Sequence, residues 1–134
     1  MKKTITHLLL LCILVAGTGY AAAPAAPTNA TPGRPRLVDL GADKCIPCKL
    51  MAPILVELKK VYAGRLDVVF IDVWKDRNAG APYNIRVIPT QIFYDAAGRE
   101  RFRHEGFFAK QDILKKWQEL GVDLSGKAPA PPAK

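Results

Sequence analysis

The chain of 134 residues has few of the residues that hold metal ions or build disulfide frameworks. It contains three cysteines, two histidines and two methionines. A structural zinc site takes about four cysteine or histidine ligands, and stabilising bridges join cysteines that are far apart in the chain. Beyond the apolar segment that contains Cys12, the only cysteines and histidine that remain are Cys45, Cys48 and His104. These absences disfavour a metal site and a disulfide that only stabilises the fold. They favour reversible redox chemistry at the Cys45/Cys48 pair.

Long apolar runs are absent except near the amino terminus. There, two lysines precede the apolar run 8–16, and the small residues Gly19 and Ala21 follow it. This layout is typical of a secretory signal, whereas a membrane-spanning helix needs about 20 apolar residues. We therefore predict a signal peptide over residues 1–21 and export of the remainder, with an uncleaved, membrane-anchored form as the alternative.

Acidic residues are scarcer than basic ones, 12 against 20, and the formal net charge is +8. The surplus is spread along the chain, which favours solubility, and we expect no nucleic-acid binding. The densest cluster, Arg99, Arg101 and Arg103, has the alternate spacing of one strand face. We interpret it as a solvated sheet face in preference to a site for an acidic partner.

Proline-rich and alanine-rich segments flank a single candidate domain. Residues 22–35 include PAAPTNATPGRP, which has no apolar period, and we predict a flexible leader there. Residues 125–134 are similar and are predicted to be a disordered tail. The part between them, 36–124, is long enough for one domain with its own core, and it contains no internal repeat.

Strand and helix patterns alternate along this domain. Strands are predicted at 36–40, 68–73, 90–94 and 100–105, and helices directly after the cysteines, at 78–83 and before Gly121. This order predicts an α/β fold with one mixed four-stranded sheet and helices on both faces. A right-handed first crossover would place the cysteine pair at the carboxyl end of the first strand.

The cysteine pair has the local chemistry of a thiol-disulfide couple. A thiol attacks a disulfide only as its thiolate, and a position just ahead of a helix faces unpaired N–H groups that favour the charged sulfur. Cys45 is therefore the predicted nucleophile, and Cys48, one turn deeper, the predicted resolving thiol. Asp39, on the strand that leads to the pair, is either the base for Cys48 or a carboxylate held by donors at the strand end.

Several segments occur in the order and approximate spacing of the thioredoxin family. They are Leu37-Val38-Asp39-Leu40, Cys45-Ile46-Pro47-Cys48-Lys49, Ala52-Pro53-Ile54-Leu55, Tyr83 to Thr90 with Ile88-Pro89-Thr90, and Gly106. The chain resembles this family over residues 36–121. The resemblance implies a thioredoxin-like three-layer sandwich and a protein-disulfide oxidoreductase whose only redox group is the Cys45–Cys48 disulfide, without metal or other cofactor.

The resemblance also assigns roles around the pair. It implies a cis peptide bond before Pro89, beside the cysteines, and it matches Asp39 to the aspartate thought to assist deprotonation of the resolving cysteine. Main-chain groups next to Pro89 would pair with a substrate peptide as an added strand does. The implied substrate-binding residues are Ile46, Pro47, Ile88, Pro89, Thr90 and Gly106.

The chain departs from the family pattern at four points. Lys44 stands where a tryptophan is usual, and Ile46 where a glycine is usual. Phe70 corresponds to the buried lysine that often accompanies the aspartate, so Asp39 would have less charge compensation. The opening strand and helix have no counterpart in the proline-rich leader, and the predicted sheet therefore has four strands instead of five.

The leading functional hypothesis is a periplasmic thiol-disulfide oxidoreductase that reduces protein disulfides. Ile88 before Pro89 and Pro47 before Cys48 resemble the reducing members of the family. A reductant in that compartment would need a membrane thiol-electron transporter, and its substrates would be exported proteins such as apocytochrome c. We expect a monomer. The alternatives are a disulfide oxidase, or a peptide- or metal-binding module on the same scaffold.

Overall fold

The computed structural model describes residues 33–126, which form four strands and two α-helices. The predicted signal peptide, most of the leader and all but the first two residues of the tail lie outside this range. The elements are β1 Arg36–Gly41, α1 Ile46–Val61, β2 Asp67–Asp72, a 3₁₀ turn Ala81–Tyr83, β3 Thr90–Tyr94, β4 Glu100–Glu105 and α2 Lys110–Glu119. No helix among these residues is long and apolar enough to cross a membrane.

The strands form one mixed sheet in the order β2-β1-β3-β4. β1 runs parallel to β2 and antiparallel to β3, and all six of its residues are buried. A strand with neighbours at both edges and layers on both faces is expected to be apolar almost throughout, as β1 is except at Arg36 and Asp39. The predicted fold class, with its mixed four-stranded sheet, is confirmed.

Both α-helices pack on the same face of the sheet. Leu37 of β1 and Phe93 of β3 lie beneath them, and the Phe93 ring is 4.7 Å from that of Trp117 in α2. The buried side of α1 carries Cys48, Met51, Leu55 and Leu58. Because these residues recur every three to four positions, burying them turns the amino-terminal cysteine of the helix outward while Cys48 faces the sheet.

The opposite face has a thinner cover than the sequence predicted. Val38, Leu40 and Ile92 pack there against Tyr83, which belongs to the 3₁₀ turn. A helix was predicted over 78–83, but only Ala81–Tyr83 is helical. Pro82 and the neighbouring Gly80 disfavour a longer helix, and Asn84, with φ of 48°, ends it in the left-handed region.

Candidate redox site

Three loops meet at one end of the sheet and form the site. Thr90, the first residue of β3, pairs with Leu40 near the carboxyl end of β1 and with Glu105 at the carboxyl end of β4. The cysteine loop after β1, the loop that ends at Pro89 and the turn at Gly106 therefore emerge side by side. Strand register thus brings together segments as far apart in the sequence as Cys45 and Gly106.

Cys45 and Cys48 are joined as a disulfide, with their Cα atoms 5.2 Å apart. Cys45 is the N-cap of α1, where its sulfur accepts a hydrogen bond from the Cys48 N–H at 3.4 Å. Its side chain is partly exposed, whereas Cys48 is 3% exposed. The N-cap position favours negative charge on the outer sulfur, as the sequence predicted, because the first N–H groups of a helix have no partners within the helix.

The inner sulfur is covered by the end of β1 and by the edge strand β2. A Cβ atom at Gly41 would lie 3.2 Å from the Cys48 Cβ and 3.0 Å from the Phe70 ring, so the strand approaches the helix closely only because this residue is glycine. Phe70 is 45% exposed. With Val56 and Lys59 it lines a cavity of about 320 Å³ that reaches Cys48. No pattern in the sequence singles out Gly41.

Asp39 lies on the helix-facing side of β1, two residues before Gly41, and is fully buried. Burial raises its pKa to about 6 from an ordinary 3.8, because the ionised form loses its hydration; a hydrogen bond from Gln91 opposes this rise. The bond joins Gln91 Nε2 to Asp39 Oδ1 over 2.7 Å. The predicted role of Asp39 as a base stays a prediction, but its carboxyl group titrates near the pH at which it would act.

Gln91 is a residue that the sequence analysis missed. It is the direct cross-strand partner of Asp39 and is fully buried. The available signal was a single amide in an otherwise apolar strand, TQIFY, immediately after Pro-Thr. Pattern alone could not identify its partner, because the pairing depends on the register between β1 and β3.

The loop before β3 contains the cis peptide bond Ile88–Pro89. The N–H of Gly106, whose φ is +98°, donates to the Pro89 carbonyl at 2.8 Å and so connects these two predicted contact residues. Thr90 is fully buried and its hydroxyl donates to the Val87 carbonyl at 2.7 Å. Any part for Thr90 in substrate binding would therefore fall to its backbone.

On the other side of the pair, Ile46 is 75% exposed and Pro47 is also exposed. Both directly follow Cys45 in the chain, and Ile88, in the loop that ends at Pro89, is partly exposed. The substrate-binding roles of these residues stay predictions.

A second set of contacts, also missed, anchors the loop that leads to Cys45. The Asp72 carboxylate at the end of β2 accepts hydrogen bonds from the N–H groups of Asp43, Trp74 and Lys75, at 3.3, 3.0 and 3.0 Å. The Lys75 ammonium also forms an ion pair with the Asp43 carboxylate. These contacts tie the loop before the nucleophile to the neighbouring strand end.

Metal-binding groups do not cluster near this site. Within residues 33–126, no three histidine, cysteine, aspartate or glutamate side chains are grouped so that they could hold a metal ion. The functional groups that the described residues bring to this site are two sulfur atoms, a buried carboxyl group and a buried amide.

A mixed sheet whose first strand leads into a cysteine pair at a helix amino terminus, beside a cis proline, is the arrangement of a thioredoxin-like protein. The family model described as Thioredoxin matches residues 29–119, more than half of the chain. The chain belongs to the thioredoxin family.

Relatives with known descriptions match in part. Thioredoxin C-2 of Corynebacterium nephridii is 43% identical over 60 residues, which cover 45% of this chain and 56% of that protein. Chloroplastic thioredoxin M-type of Pisum sativum is 39% identical over 66 residues, 49% of this chain and 38% of that protein. Thioredoxin of Staphylococcus aureus is 41% identical over 80 residues, 60% of this chain and 76% of that protein. The chain thus spans about half or less of the first two relatives.

A solved structure described as that of a malarial protein superimposes with a TM-score of 0.60 at 17% identity. The match covers 64% of this chain and 96% of that one. At this identity the likeness supports the fold alone.

Proposed function

We propose that the protein is a thiol-disulfide oxidoreductase that reduces protein disulfides through the Cys45/Cys48 couple, without metal or other cofactor. One observation carries this proposal: a partly exposed sulfur at the N-cap of α1 is bonded to a sulfur that is 3% exposed. A protein substrate can reach the first sulfur, and the second stays in place to displace the substrate. Membership of the thioredoxin family supports the same activity.

The first step uses Cys45. In the reduced protein its thiolate attacks one sulfur of the substrate disulfide, forms a mixed disulfide and releases the other substrate sulfur as a thiolate, which takes a proton from water. The N–H of Cys48, which points at the Cys45 sulfur, and the positive end of the helix stabilise the thiolate before the attack.

The second step uses Cys48 and Asp39. The Asp39 carboxylate takes the Cys48 proton, and the resulting thiolate attacks the Cys45 sulfur. The bond between Cys45 and the substrate breaks, the substrate sulfur leaves with the electron pair, and it is protonated to a thiol. Two electrons have then passed from the protein to the substrate, and Cys45–Cys48 is a disulfide. A carboxyl pKa of about 6 suits this transfer near neutral pH.

Substrate contacts would come from both sides of the outer sulfur. Exposed Ile46 and Pro47 offer an apolar surface on one side, and the backbone around the cis bond at Pro89 offers hydrogen-bonding groups on the other. An extended peptide could pair there as an added strand, with Ile88, Thr90 and Gly106 beside it.

We also propose that the protein works in the periplasm as a monomeric reductant of exported proteins and receives electrons from a membrane thiol-electron transporter. The support is the predicted signal peptide in residues 1–21 and the similarity of the Ile88-Pro89 and Pro47-Cys48 pairs to those of reducing family members. Expression of the full chain in a bacterium, followed by sequencing of the amino terminus of the periplasmic product, tests the export. A product that begins at residue 22 is expected, and a full-length membrane-bound product would contradict cleavage.

A disulfide turnover assay tests the activity. Reduction of an exposed protein disulfide is followed with dithiothreitol as the recycling reductant, and the wild type should accelerate it well above the dithiothreitol background. Cys45→Ser should return the rate to that background. A wild-type rate equal to the background would overturn the proposal.

The reduction potential of the Cys45/Cys48 couple decides the direction. A value near about −270 mV indicates a reductant, and one near about −120 mV a disulfide oxidase. Equilibration of the protein with defined thiol-disulfide buffers, read out by mass after thiol alkylation, gives this value.

A further inference from the structure

The strongest feature outside the cysteine pair is the fully buried contact between Asp39 and Gln91. The two residues face each other across β1 and β3, and Gln91 Nε2 donates to Asp39 Oδ1 at 2.7 Å. The other carboxyl oxygen, Oδ2, is buried and makes no hydrogen bond to any residue in 33–126. A donor bond to a carboxylate inside a protein is stronger than one between neutral groups, so this contact fixes the carboxyl group.

No cation faces Asp39 from the strands beside it. Its sheet row contains Phe70 on β2, Gln91 on β3 and His104 on β4. His104 is two strands away, where its ring stacks on Phe108 and its Nε2 lies 3.2 Å from the Phe107 carbonyl oxygen.

From α1, the nearest titratable side chain on the buried face is the Cys48 thiol of the reduced protein. Lys49, Lys59 and Asp43 line the cavity beside Cys48 and Phe70 and are exposed. The one group in this set that hydrogen-bonds to the Asp39 carboxyl is therefore a neutral amide.

We propose that Gln91 is a positioning residue for the resolving step: its amide holds Asp39 Oδ1 and leaves Oδ2 as the oxygen that takes the Cys48 proton. The inference rests on the proposed function. An amide suits this task because its N–H can donate to the carboxylate, where the bond is stronger, and still donate to the carbonyl oxygen of the protonated acid. Asp39 therefore keeps its orientation through the whole proton transfer, and no charge is added to the core.

Gln91 also keeps Asp39 usable as a base. Burial raises the pKa of this carboxyl, and the Gln91 hydrogen bond lowers it; the balance is about 6. If the hydrogen bond is removed, burial acts without opposition, the Asp39 pKa rises, and a larger fraction of this carboxyl group is protonated near neutral pH. A protonated Asp39 cannot accept the proton of Cys48.

The test compares the wild type with Gln91→Leu, which removes the amide at similar volume. The Asp39 carboxyl pKa is followed by ¹³C NMR in the reduced protein, and the release of a preformed Cys45 mixed disulfide is followed against pH. We expect Gln91→Leu to raise the Asp39 pKa by about 1 to 2 pH units, the size of a lost hydrogen bond to a charged group. The midpoint of the release profile should rise equally, so that release at pH 6 slows about five-fold or more and recovers in alkali.

Tyr94→Phe is the matched control, because it removes one polar group from the same strand on the opposite face of the sheet. It should keep the wild-type pH profile. Gln91→Met, which also removes the amide at similar volume, serves if Gln91→Leu does not fold. It should move the midpoint upward by a similar amount, because the Asp39 carboxylate again loses its hydrogen-bond donor.

An unchanged Asp39 pKa and release profile in the folded Gln91 variants would overturn the inference while the wild type still exchanges disulfides. If the wild type itself exchanges no disulfides, the proposed function fails and the inference fails with it. The two failures are thus distinguishable in one set of measurements.

Discussion

The two cysteines, three residues apart, occupy opposite environments. Cys45 caps α1, is partly exposed and accepts a backbone hydrogen bond, whereas Cys48 is 3% exposed beneath Gly41 and Phe70. The side chains are identical, so the difference comes entirely from position in the first turn of the helix. The comparison shows how one turn of helix can separate a nucleophile from a resolving group.

The difference between the two environments explains why only Cys48 needs a base. At the N-cap, unpaired N–H groups stabilise a thiolate, whereas Cys48 is buried inside the first turn and does not occupy that position. The strand below Cys48 carries Asp39, whose pKa burial raises. A carboxyl group whose pKa is raised toward neutrality is better matched to taking a proton from a thiol than an exposed carboxylate is.

The largest expected difference between the two cysteines is in their alkylation rates in the reduced protein. With limiting iodoacetamide at neutral pH, Cys45 should react about 10³-fold faster than Cys48, because its thiolate is both stabilised and accessible. Peptide mass mapping after short exposures gives both rates, and guanidinium-unfolded protein is the control in which they should converge. Equal rates in the folded protein would remove the basis of the comparison.

Asp39→Asn should change the pH dependence of stability. The folded pKa of about 6 exceeds the ordinary 3.8, so the folded state binds this proton more tightly. The free energy of unfolding should then fall by about 3 kcal/mol as pH rises from about 4 to above 6. Asp39→Asn should lack this fall and be the more stable protein at alkaline pH. Denaturant titrations across this range provide the test, and parallel curves for the two proteins would refute it.

Gly41→Ala should act on the inner sulfur and spare the outer one. The added methyl group would meet the Cys48 Cβ and the Phe70 ring, and such overpacking costs about 1–2 kcal/mol in unfolding free energy. The Cys45 alkylation rate should stay within about two-fold, since Cys45 lies outside the contact. Gly126→Ala is the control, because a Cβ there would meet no atom of residues 33–126 within 4 Å, and it should leave stability unchanged. A change of much more than two-fold in the Cys45 alkylation rate would contradict the claim that Gly41 affects only the inner sulfur.

Ile46→Ala should have the smallest effect. Ile46 is 75% exposed, so its loss should alter stability by less than about 0.5 kcal/mol. If this side chain contacts protein substrates, KM for an apolar protein disulfide should rise about five-fold with kcat unchanged, as expected for about 1 kcal/mol of lost apolar burial. A small charged disulfide such as oxidised glutathione should show no change. If Ile46→Ala has the wild-type KM for the protein disulfide as well as for oxidised glutathione, Ile46 does not belong to the contact surface.

The fold was predictable because its signals are local. The apolar run of β2 and the helical spacing from Cys48 to Leu58 can each be recognised within their own segment. Neither requires knowing which other element packs against it. The four strand positions were predicted to within one residue at each end. The helix on the second face was predicted too long, because Gly80 and Pro82 allow only a 3₁₀ turn there.

The site was predictable only where a motif carries its own chemistry. Two cysteines three residues apart indicate a possible disulfide bond, and a proline before a strand indicates a turn. No local pattern identifies Gly41 or Gln91. Their importance comes from tertiary structure, which places Gly41 beside Cys48 and Gln91 beside Asp39. Contacts of this kind depend on tertiary pairing, which no single-sequence pattern encodes.

The most direct test of the central claim is to trap the covalent intermediate. Cys48→Ser and Cys45→Ser make the same chemical change three residues apart, and each reduced variant is incubated with a soluble protein that has an exposed disulfide. Intact mass spectrometry under non-reducing conditions should show a mixed disulfide that accumulates on Cys48→Ser, bonded through Cys45 and released by dithiothreitol, and little or none on Cys45→Ser. Equal adducts on both variants, or none on either, would contradict the account.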